Sequence, residues 1–534
     1  MSALIDSVKL NDRTFAGSIK RAARRGDRVF MDAPGGSITF WELPEQVART
    51  AGALAMAGAS QSTRVAIFLN NRVEFVLGWW GSIWAGSATA LIHSDFKGAV
   101  LERALSRLSP ELIITEAALL DRLEPLLARL PPVRSVIIVG DMPADPAAKY
   151  VSWNALRAEA RAIGPAPTGA AAMGTIMLTS GTTGPSKLVC KSQHFDFVYS
   201  AMAAEGIGLA EGDCIWSASP CTHVRTANCA IYAALLVGAR VVIGARFSAT
   251  TYWEDLRAAG ATHTYISNWM ANLLAKRNAA DIDRTHGVRV IHCMPPPGDP
   301  IAFAERFGIK LTGQGYGSTE CYPLPQQLTQ QDWTRRNGFL GLPHPLMEVK
   351  VADEMGIAVP ADGKSTGEIL VRPRLPMAVF SGYLGDPQAT ADAFRDLWFH
   401  TGDSATVDAD GNLYFVGRIG DAIRRRGVNI SAWEIEQAIL VYPGVAEAAA
   451  YGVANEFGEQ EVKLDIAADP GALLDPATLA DYLTRELPRF MVPRYVEIRD
   501  SLPKTPTGRV EKFTLRAMPV GDQAFDRERL RVAS

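Results

Sequence analysis

The fold is most legible at Thr179-Ser180-Gly181-Thr182-Thr183-Gly184-Pro185-Ser186-Lys187, which follows directly on the apolar run 175–178. Glycines let a backbone approach an anion, hydroxyls donate hydrogen bonds and a lysine adds charge, so a strand that delivers this loop suits a polyphosphate. The spacing is not that of a Gly-x-x-x-x-Gly-Lys-Ser/Thr loop, because Gly181 and Gly184 lie too close together and Leu188 follows the lysine. An ordinary polar turn is the plain alternative for a short Gly/Ser/Thr stretch, and nine residues of this composition speak against it.

Outward from this loop, β-rich runs recur at 64–69, 111–115, 133–140, 175–180, 239–244, 263–267 and 288–293, with helical patterns between them. Alternation of that kind predicts an α/β fold with largely parallel sheets. The Trp-rich stretch 71–87 reads as the helix after the first strand, and the Pro/Ala/Gly-rich stretch 164–174 as a surface connection. After about residue 340 the texture changes to short extended pieces, 349–353 and 412–417, the second preceded by the turn dipeptide Asp410-Gly411, so a β-rich subdomain is expected there. From Ile419 onward an Arg-rich patch, a helix at 433–440, a run at 445–453 and a Pro-rich tail predict a small α+β domain. The expected division is a large N-terminal domain over 1–417, a hinge at 418–421 and a C-terminal domain over 422–534.

At 534 residues, the chain exceeds one ordinary core. Hydrophobic residues make up 48% and charged residues 21%, with 54 basic against 57 acidic side chains, which leaves no electrostatic footprint for nucleic acid or a membrane surface. The longest apolar stretch, near 230–244, is interrupted by Arg240, and the first twenty residues carry Asp6, Asp12 and Arg13 where a signal peptide needs an apolar run. Six cysteines, Cys190, Cys214, Cys221, Cys229, Cys293 and Cys321, show no Cys-x-x-Cys pair and read as reduced thiols. A cytoplasmic enzyme of small molecules is the expectation.

Further blocks stand in register with the loop: Gln314-Gly315-Tyr316-Gly317-Ser318-Thr319-Glu320, Trp398-Phe399-His400-Thr401-Gly402-Asp403, Gly417-Arg418-Ile419-Gly420-Asp421 and Pro220-Cys221-Thr222-His223. With them the chain resembles the adenylate-forming superfamily of acyl-CoA synthetases, adenylation domains and beetle luciferases. The resemblance runs from Ile38-Thr39-Phe40-Trp41-Glu42-Leu43 to the Pro-Thr-Gly segment near residue 508, and falls nearest the crotonobetaine/carnitine:CoA ligase-like branch.

The resemblance implies two half-reactions: ATP converts a carboxylic acid to an acyl-adenylate with release of pyrophosphate, and then the small domain turns so that coenzyme A displaces AMP. It makes Thr179, Ser180, Gly181, Thr182, Thr183, Gly184 and Lys187 phosphate ligands, with Lys187 among the catalytic groups. Gly315, Tyr316, Gly317 and Ser318 flank the nucleotide, Tyr316 stacking on adenine, while Thr319 and Glu320 join the catalytic set and Glu320 ligates Mg2+. Asp403, placed at a tight turn, accepts hydrogen bonds from the ribose hydroxyls, and Arg418 contacts the nucleotide at the hinge. His223 sits between phosphate and acyl pocket. In Arg424-Arg425-Arg426-Gly427, the glycine matches one that passes the pantetheine arm, and the arginines read either as partners for coenzyme A phosphates or as a solvated face.

The chain departs from the family where its adenylation lysine stands, because Arg509 follows Gly508. Arginine keeps the charge on a wider planar head. Arg509 is the favoured catalytic cation, with Lys504 or Lys512 as substitutes and slow adenylation as the third possibility. Gly420 occupies the usual hinge position, Gln193 stands where many members carry histidine, and Cys293-Met294-Pro295-Pro296-Pro297-Gly298 replaces a glycine-rich pocket segment. Trp269 and Tyr322 are further candidates for the pocket lining. Rivals to the ligase are an enzyme that loads a carrier protein and a noncatalytic nucleotide-binding relative; the acid, the pathway and the oligomeric state, homodimer included, stay open.

Overall fold

The computed structural model describes residues 3–528 apart from 131–132, 145–146, 180–186, 295, 314, 323, 325–337, 420–421, 426–427, 455–459, 488–490, 506–507 and 522. All seven β-rich runs are strands. Six of the eight strands in one sheet run parallel, in the order Met173–Leu178, Ala88–Leu91, Arg64–Phe68, Leu112–Glu116, Ser135–Val139 and Tyr150–Ser152. Leu188–Ser192 folds back antiparallel on Met173–Leu178, and Gly382–Tyr383 adds antiparallel at that edge. A second sheet of seven strands runs parallel from Lys310–Thr312 through Val290–Cys293, His263–Ile266, Cys214–Ser217 and Arg240–Ile243 to Val29–Ala33, closed by the antiparallel strand Gly36–Thr39.

Helices between the two sheets are buried on every side rather than on one stripe. In Gln193–Ile207 every residue but Glu205 is buried, and in Val73–Trp84 only Glu74 escapes. A helix of that kind has to be covered all round, and one hydrophobic cluster joins both helices to both sheets. Local signals fix the ends of Gln193–Ile207. The Ser192 hydroxyl accepts the Phe195 N–H at 3.0 Å, and Gly208 closes the helix at φ 65°, a left-handed conformation that glycine adopts without strain.

The region after residue 338 is β-rich as expected: Phe339–Gly341, Leu413–Arg418, Trp398–Val407, Thr366–Pro373 and Met347–Ala352 form an antiparallel sheet. Two expectations need correction. Asp403 is not at a tight turn but inside the ten-residue strand Trp398–Val407, where Gly402 at φ 71° kinks the ladder and Glu368 Oε1 accepts the Gly402 N–H at 2.9 Å. Gly174 belongs to a strand, so the connection that begins at Gly164 ends before Met173.

Beyond it, a hairpin of Ala422–Arg425 and Val428–Ser431 leads to a four-stranded sheet, Val445–Ala454, Gln460–Ala468, Tyr495–Arg499 and Phe525–Asp526, packed with Ala432–Leu440 and Pro476–Glu486 around its own apolar cluster. All six cysteines are buried and unbridged. No helix among the described residues is long and apolar enough to cross a membrane.

Candidate active site

The segments singled out in the sequence leave the carboxyl ends of parallel strands, where open α/β sheets present their loops. Met173–Leu178 leads to Thr179, Cys214–Ser217 to His223, Val290–Cys293 to the proline segment and Lys310–Thr312 to the Gly315–Glu320 block. Asn71, after Arg64–Phe68, ties the two sheets together: its Nδ2 donates to Ser219 O at 3.1 Å and to Gly244 O at 3.0 Å, and its Oδ1 accepts the Cys221 N–H at 2.8 Å. The loop that carries His223 is thereby pinned from the opposite sheet.

Thr179 and Lys187 close the neck of the phosphate-type loop. Thr179 N–H donates to Lys187 O at 3.0 Å, and Lys187 N–H donates to Thr179 Oγ1 at 2.9 Å. Ser180, Gly181, Thr182, Thr183 and Gly184 lie outside the described residues, as do Gln314, Gly420, Asp421 and Gly427, and the Trp269 side chain. The Lys187 ammonium lies 4.6 Å from the Tyr383 ring centre, and the Tyr383 hydroxyl donates to Glu320 Oε1 at 3.0 Å. A cation, a phenol and a carboxylate thus converge from three separate elements.

Tyr316 is buried and pairs with Leu324 in an isolated bridge, its hydroxyl donating to Asp403 Oδ2 at 2.5 Å. Arg418 Nε meets the other Asp403 oxygen at 2.8 Å, across a strand register that sets Asp403 opposite Arg418. Burial raises the Asp403 carboxyl above its usual pKa range, opposed by Arg418 and by the Tyr316 hydrogen bond. Gly315 is buried; Gly317, Ser318 and Thr319 are half-buried on the bend, where Ser318 Oγ accepts the Glu320 N–H at 3.2 Å. Gly317 is required by its neighbour: a Cβ there would stand 2.3 Å from the Tyr322 ring.

His223 caps the short helix Val224–Thr226, its Nδ1 accepting the Arg225 N–H at 3.1 Å, so the ring proton resides on Nε2. Desolvation, helped by Arg225, Arg509 and His93, pulls its pKa down to about 3, and the imidazole is neutral at physiological pH. Arg509 lies within electrostatic reach of Arg418, Arg225, Asp403 and Glu320. Arg509 is exposed to solvent, yet neighbouring protein crowds its guanidinium enough that desolvation leads the lowering of its pKa. Lys504 and Lys512 point elsewhere: Lys504 pairs with Glu447, and Lys512 Nζ with Glu436 at 2.7 Å.

Two expectations fail on geometry. Arg425 is neither a phosphate partner nor solvated, because it is buried against Glu461 at 2.7 Å with both side chains about 95% covered. Gln193 does not face the pocket: it accepts the Phe15 N–H at 3.1 Å and donates to Thr168 at 3.2 Å, anchoring the N-terminal helix Phe15–Ala22. The described acidic, His and Cys side chains contain no group of three able to hold a metal; Glu320 fits Mg2+ only as a single carboxylate beside phosphate oxygens.

Sequence reasoning missed Tyr383, Tyr199, Tyr265, His93 and Arg225. Tyr199 stacks on Tyr322 at 4.7 Å and donates to Ser318 O at 3.2 Å, tying the helix Gln193–Ile207 to the bend before Glu320. Of the five, Arg225 alone carried a readable signal, a guanidinium two residues after His223 in a stretch otherwise small and apolar.

The family model described as AMP-binding enzyme matches residues 19–384, and the AMP-binding enzyme C-terminal domain matches residues 434–509. A crotonobetaine/carnitine–CoA ligase of Salmonella paratyphi C (strain RKS4594) is 27% identical over 493 residues, covering 90% of this chain and 93% of that protein. Anthranilate CoA ligase AuaEII in complex with anthranoyl-AMP superposes at a TM-score of 0.85 with 20% identity, covering 99% of both chains. The o-succinylbenzoate CoA synthetase MenE of Bacillus subtilis, in complex with its acyl-adenylate, superposes at 0.80 with 22% identity, covering 95% of this chain and 99% of that one. At these identities the two superpositions establish a shared fold.

Proposed function

The chain belongs to the AMP-binding enzyme family, and from that premise we propose that it is an ATP-dependent acyl-CoA ligase. One carboxylate oxygen of the acid bonds to the α-phosphorus of ATP as pyrophosphate leaves. The sulfur of coenzyme A then bonds to the acyl carbon as AMP leaves and the thiol proton is released. The observation that carries this reading is that Arg509, His223, Asp403, Arg418 and Glu320 lie within electrostatic reach of one another, although they come from separate parts of the chain. The Salmonella ligase supports coenzyme A as acceptor.

Attack of a carboxylate on a phosphate brings two anions together, so the chemistry needs fixed cations and donors. In this proposal Arg509 faces the reacting carboxylate and α-phosphate, and the neutral His223 offers its Nε2–H to the same oxygens. Lys187 and the hydroxyl and glycine loop that begins at Thr179 hold the outer phosphates. Tyr316 stacks on adenine, Asp403 takes the ribose hydroxyls beside Arg418, which opposes the upward pull of burial on its carboxyl, and Thr319 lies beside Glu320. Mg2+ would be held by Glu320 together with the phosphates, where it neutralises their charge. The proposal also takes residues 418–421 as the hinge between the regions 1–417 and 422–534, and the cytoplasm, where ATP and coenzyme A are available, as the site of action.

The test is AMP and pyrophosphate release over a panel of carboxylic acids, with and without coenzyme A. The expected result is acid-dependent turnover sustained by the thiol. Sustained turnover without a thiol, or none with any acid, would overturn the ligase.

A further inference from the structure

Two residues beyond His223, Arg225 stands on the short helix Val224–Thr226 with its backbone fixed by the imidazole. Its Nη2 donates to the Met294 carbonyl at 3.3 Å, which turns the guanidinium toward the wall that leads into the three prolines. That carbonyl is its one side-chain hydrogen bond among the described residues, and no carboxylate there pairs with it. Arg509 is a second cation within electrostatic reach, while the rings, imidazole and thiols along this wall carry no charge. Tyr199 and Tyr322 are stacked, and the Tyr265 ring lies 4.9 Å from that of His292. Desolvation and Arg225 hold His292 down to about 3, and burial pushes the Cys229 and Cys293 thiols up to about 12. The Tyr265 hydroxyl, in a residue 2% exposed, has the Cys229 thiol as a weak acceptor and no nitrogen or oxygen partner among the described residues.

A half-buried guanidinium with one neutral acceptor has given up hydration without a counter-charge. Its planar fork matches a carboxylate, which can take two of its N–H groups at once. Three aromatic rings alone would favour a quaternary ammonium. A second cation in the same low-dielectric space reverses that preference by repulsion. The reacting carboxylate is served separately by Arg509 and His223, which leaves Arg225 for a different group on the same molecule.

We propose that the acyl pocket takes a carboxylic acid bearing a second carboxylate, held by Arg225 with the Tyr265 hydroxyl as a further donor. The inference rests on the ligase reading and names the substrate class of that site.

The test uses matched acids that differ at the far end: glutarate against pentanoate, terephthalate against para-toluate, and γ-butyrobetaine as the cationic member. In the wild-type chain with ATP and coenzyme A, at least one diacid is expected to exceed its neutral match by about thirtyfold in kcat/KM, the size of a lost charged hydrogen bond. γ-Butyrobetaine is expected to be the poorest. Arg225→Leu should invert the diacid preference with KM for ATP unchanged, and Arg225→Lys should keep part of it. Preference for the neutral or cationic acid in the wild type, or an Arg225→Leu effect that falls on ATP and on all acids equally, would overturn the inference. The wild-type panel and the lysine variant decide the matter if the leucine variant does not fold. If no acid turns over, the ligase reading fails by itself. The pocket is then read by calorimetry with the diacids in the presence of a nonhydrolysable ATP analogue. Binding lost in Arg225→Leu upholds the inference, and no diacid binding to the wild type overturns it.

Discussion

On the side proposed for the nucleotide, Tyr316, Asp403 and Arg418 satisfy one another before any ligand arrives, and so do Lys187, Tyr383 and Glu320. On the side proposed for the acyl group, Arg225 and the Tyr265 hydroxyl wait among rings, thiols and a neutral histidine with no partner of opposite charge among the described residues. The first half is organised in advance, so ligand groups replace hydrogen bonds that already exist, and its residue types are constrained together. The second half stores an unmet electrostatic demand, and a single side chain there can redirect the choice of acid. Reaction class and substrate class are therefore written in different materials.

The largest expected effect removes the cation shared by both halves. Arg509→Ala should slow acid-dependent pyrophosphate release by about a hundredfold or more, the scale of losing one charge-stabilising donor, whereas Lys504→Ala and Lys512→Ala should stay within about threefold. Single-turnover measurement checks this, and an unaltered rate in Arg509→Ala would return the role to another residue. Next comes the organised half: Asp403→Asn strips the Arg418 counter-charge and should raise KM for ATP by about thirtyfold with little change in KM for the acid. Equal shifts in both constants would erase the distinction between the halves. Gly317→Ala tests the seam, because its new Cβ must displace the Tyr322 ring. Overpacking of this kind costs about 1–3 kcal/mol, and the expected readout is a roughly tenfold rise in KM for the acid together with a lower melting temperature.

The smallest effect touches neither half. His194, fully buried with both ring nitrogens unpaired among the described residues, has a pKa pulled down to about 4 by desolvation and Arg13. Its folded value lies below the unfolded one near 6.5, so its contribution is complete above that pH and is lost as pH falls toward 4. Melting should weaken over that window. His194→Leu should lessen the loss by about 1 kcal/mol between about pH 6.5 and 5 without altering either KM.

Much of the fold was legible because the parallel strands are short Val/Ile/Leu runs with Gly, Pro or charged stops, and each of the seven runs became a strand. Asp403 was misplaced because a glycine at positive φ kinks a strand as readily as it ends one. The residues proposed for the nucleotide could be singled out because they lie in compact blocks. The acyl pocket could not, since Tyr199 sits on a helix buried on every side and Tyr265 on a strand buried throughout, so no polar face marks the functional direction. Arg425 was misread for the opposite reason. A run of three arginines suggests one solvated surface, but alternation along the strand Ala422–Arg425 sends its middle member inward to Glu461.

The buried cysteines carry one more consequence. An acyl-adenylate is a strong acylating agent, and an enzyme that makes one beside its own sulfur atoms is exposed to self-labelling. Cys229 and Cys293 are 5% and 0% exposed, and with pKa values near 12 only about one in a hundred thousand would be thiolate at neutral pH. A thiol arriving from water keeps its ordinary acidity and is by comparison the far better nucleophile. The dryness of the wall thus lets the pocket tell the visitor's sulfur from its own.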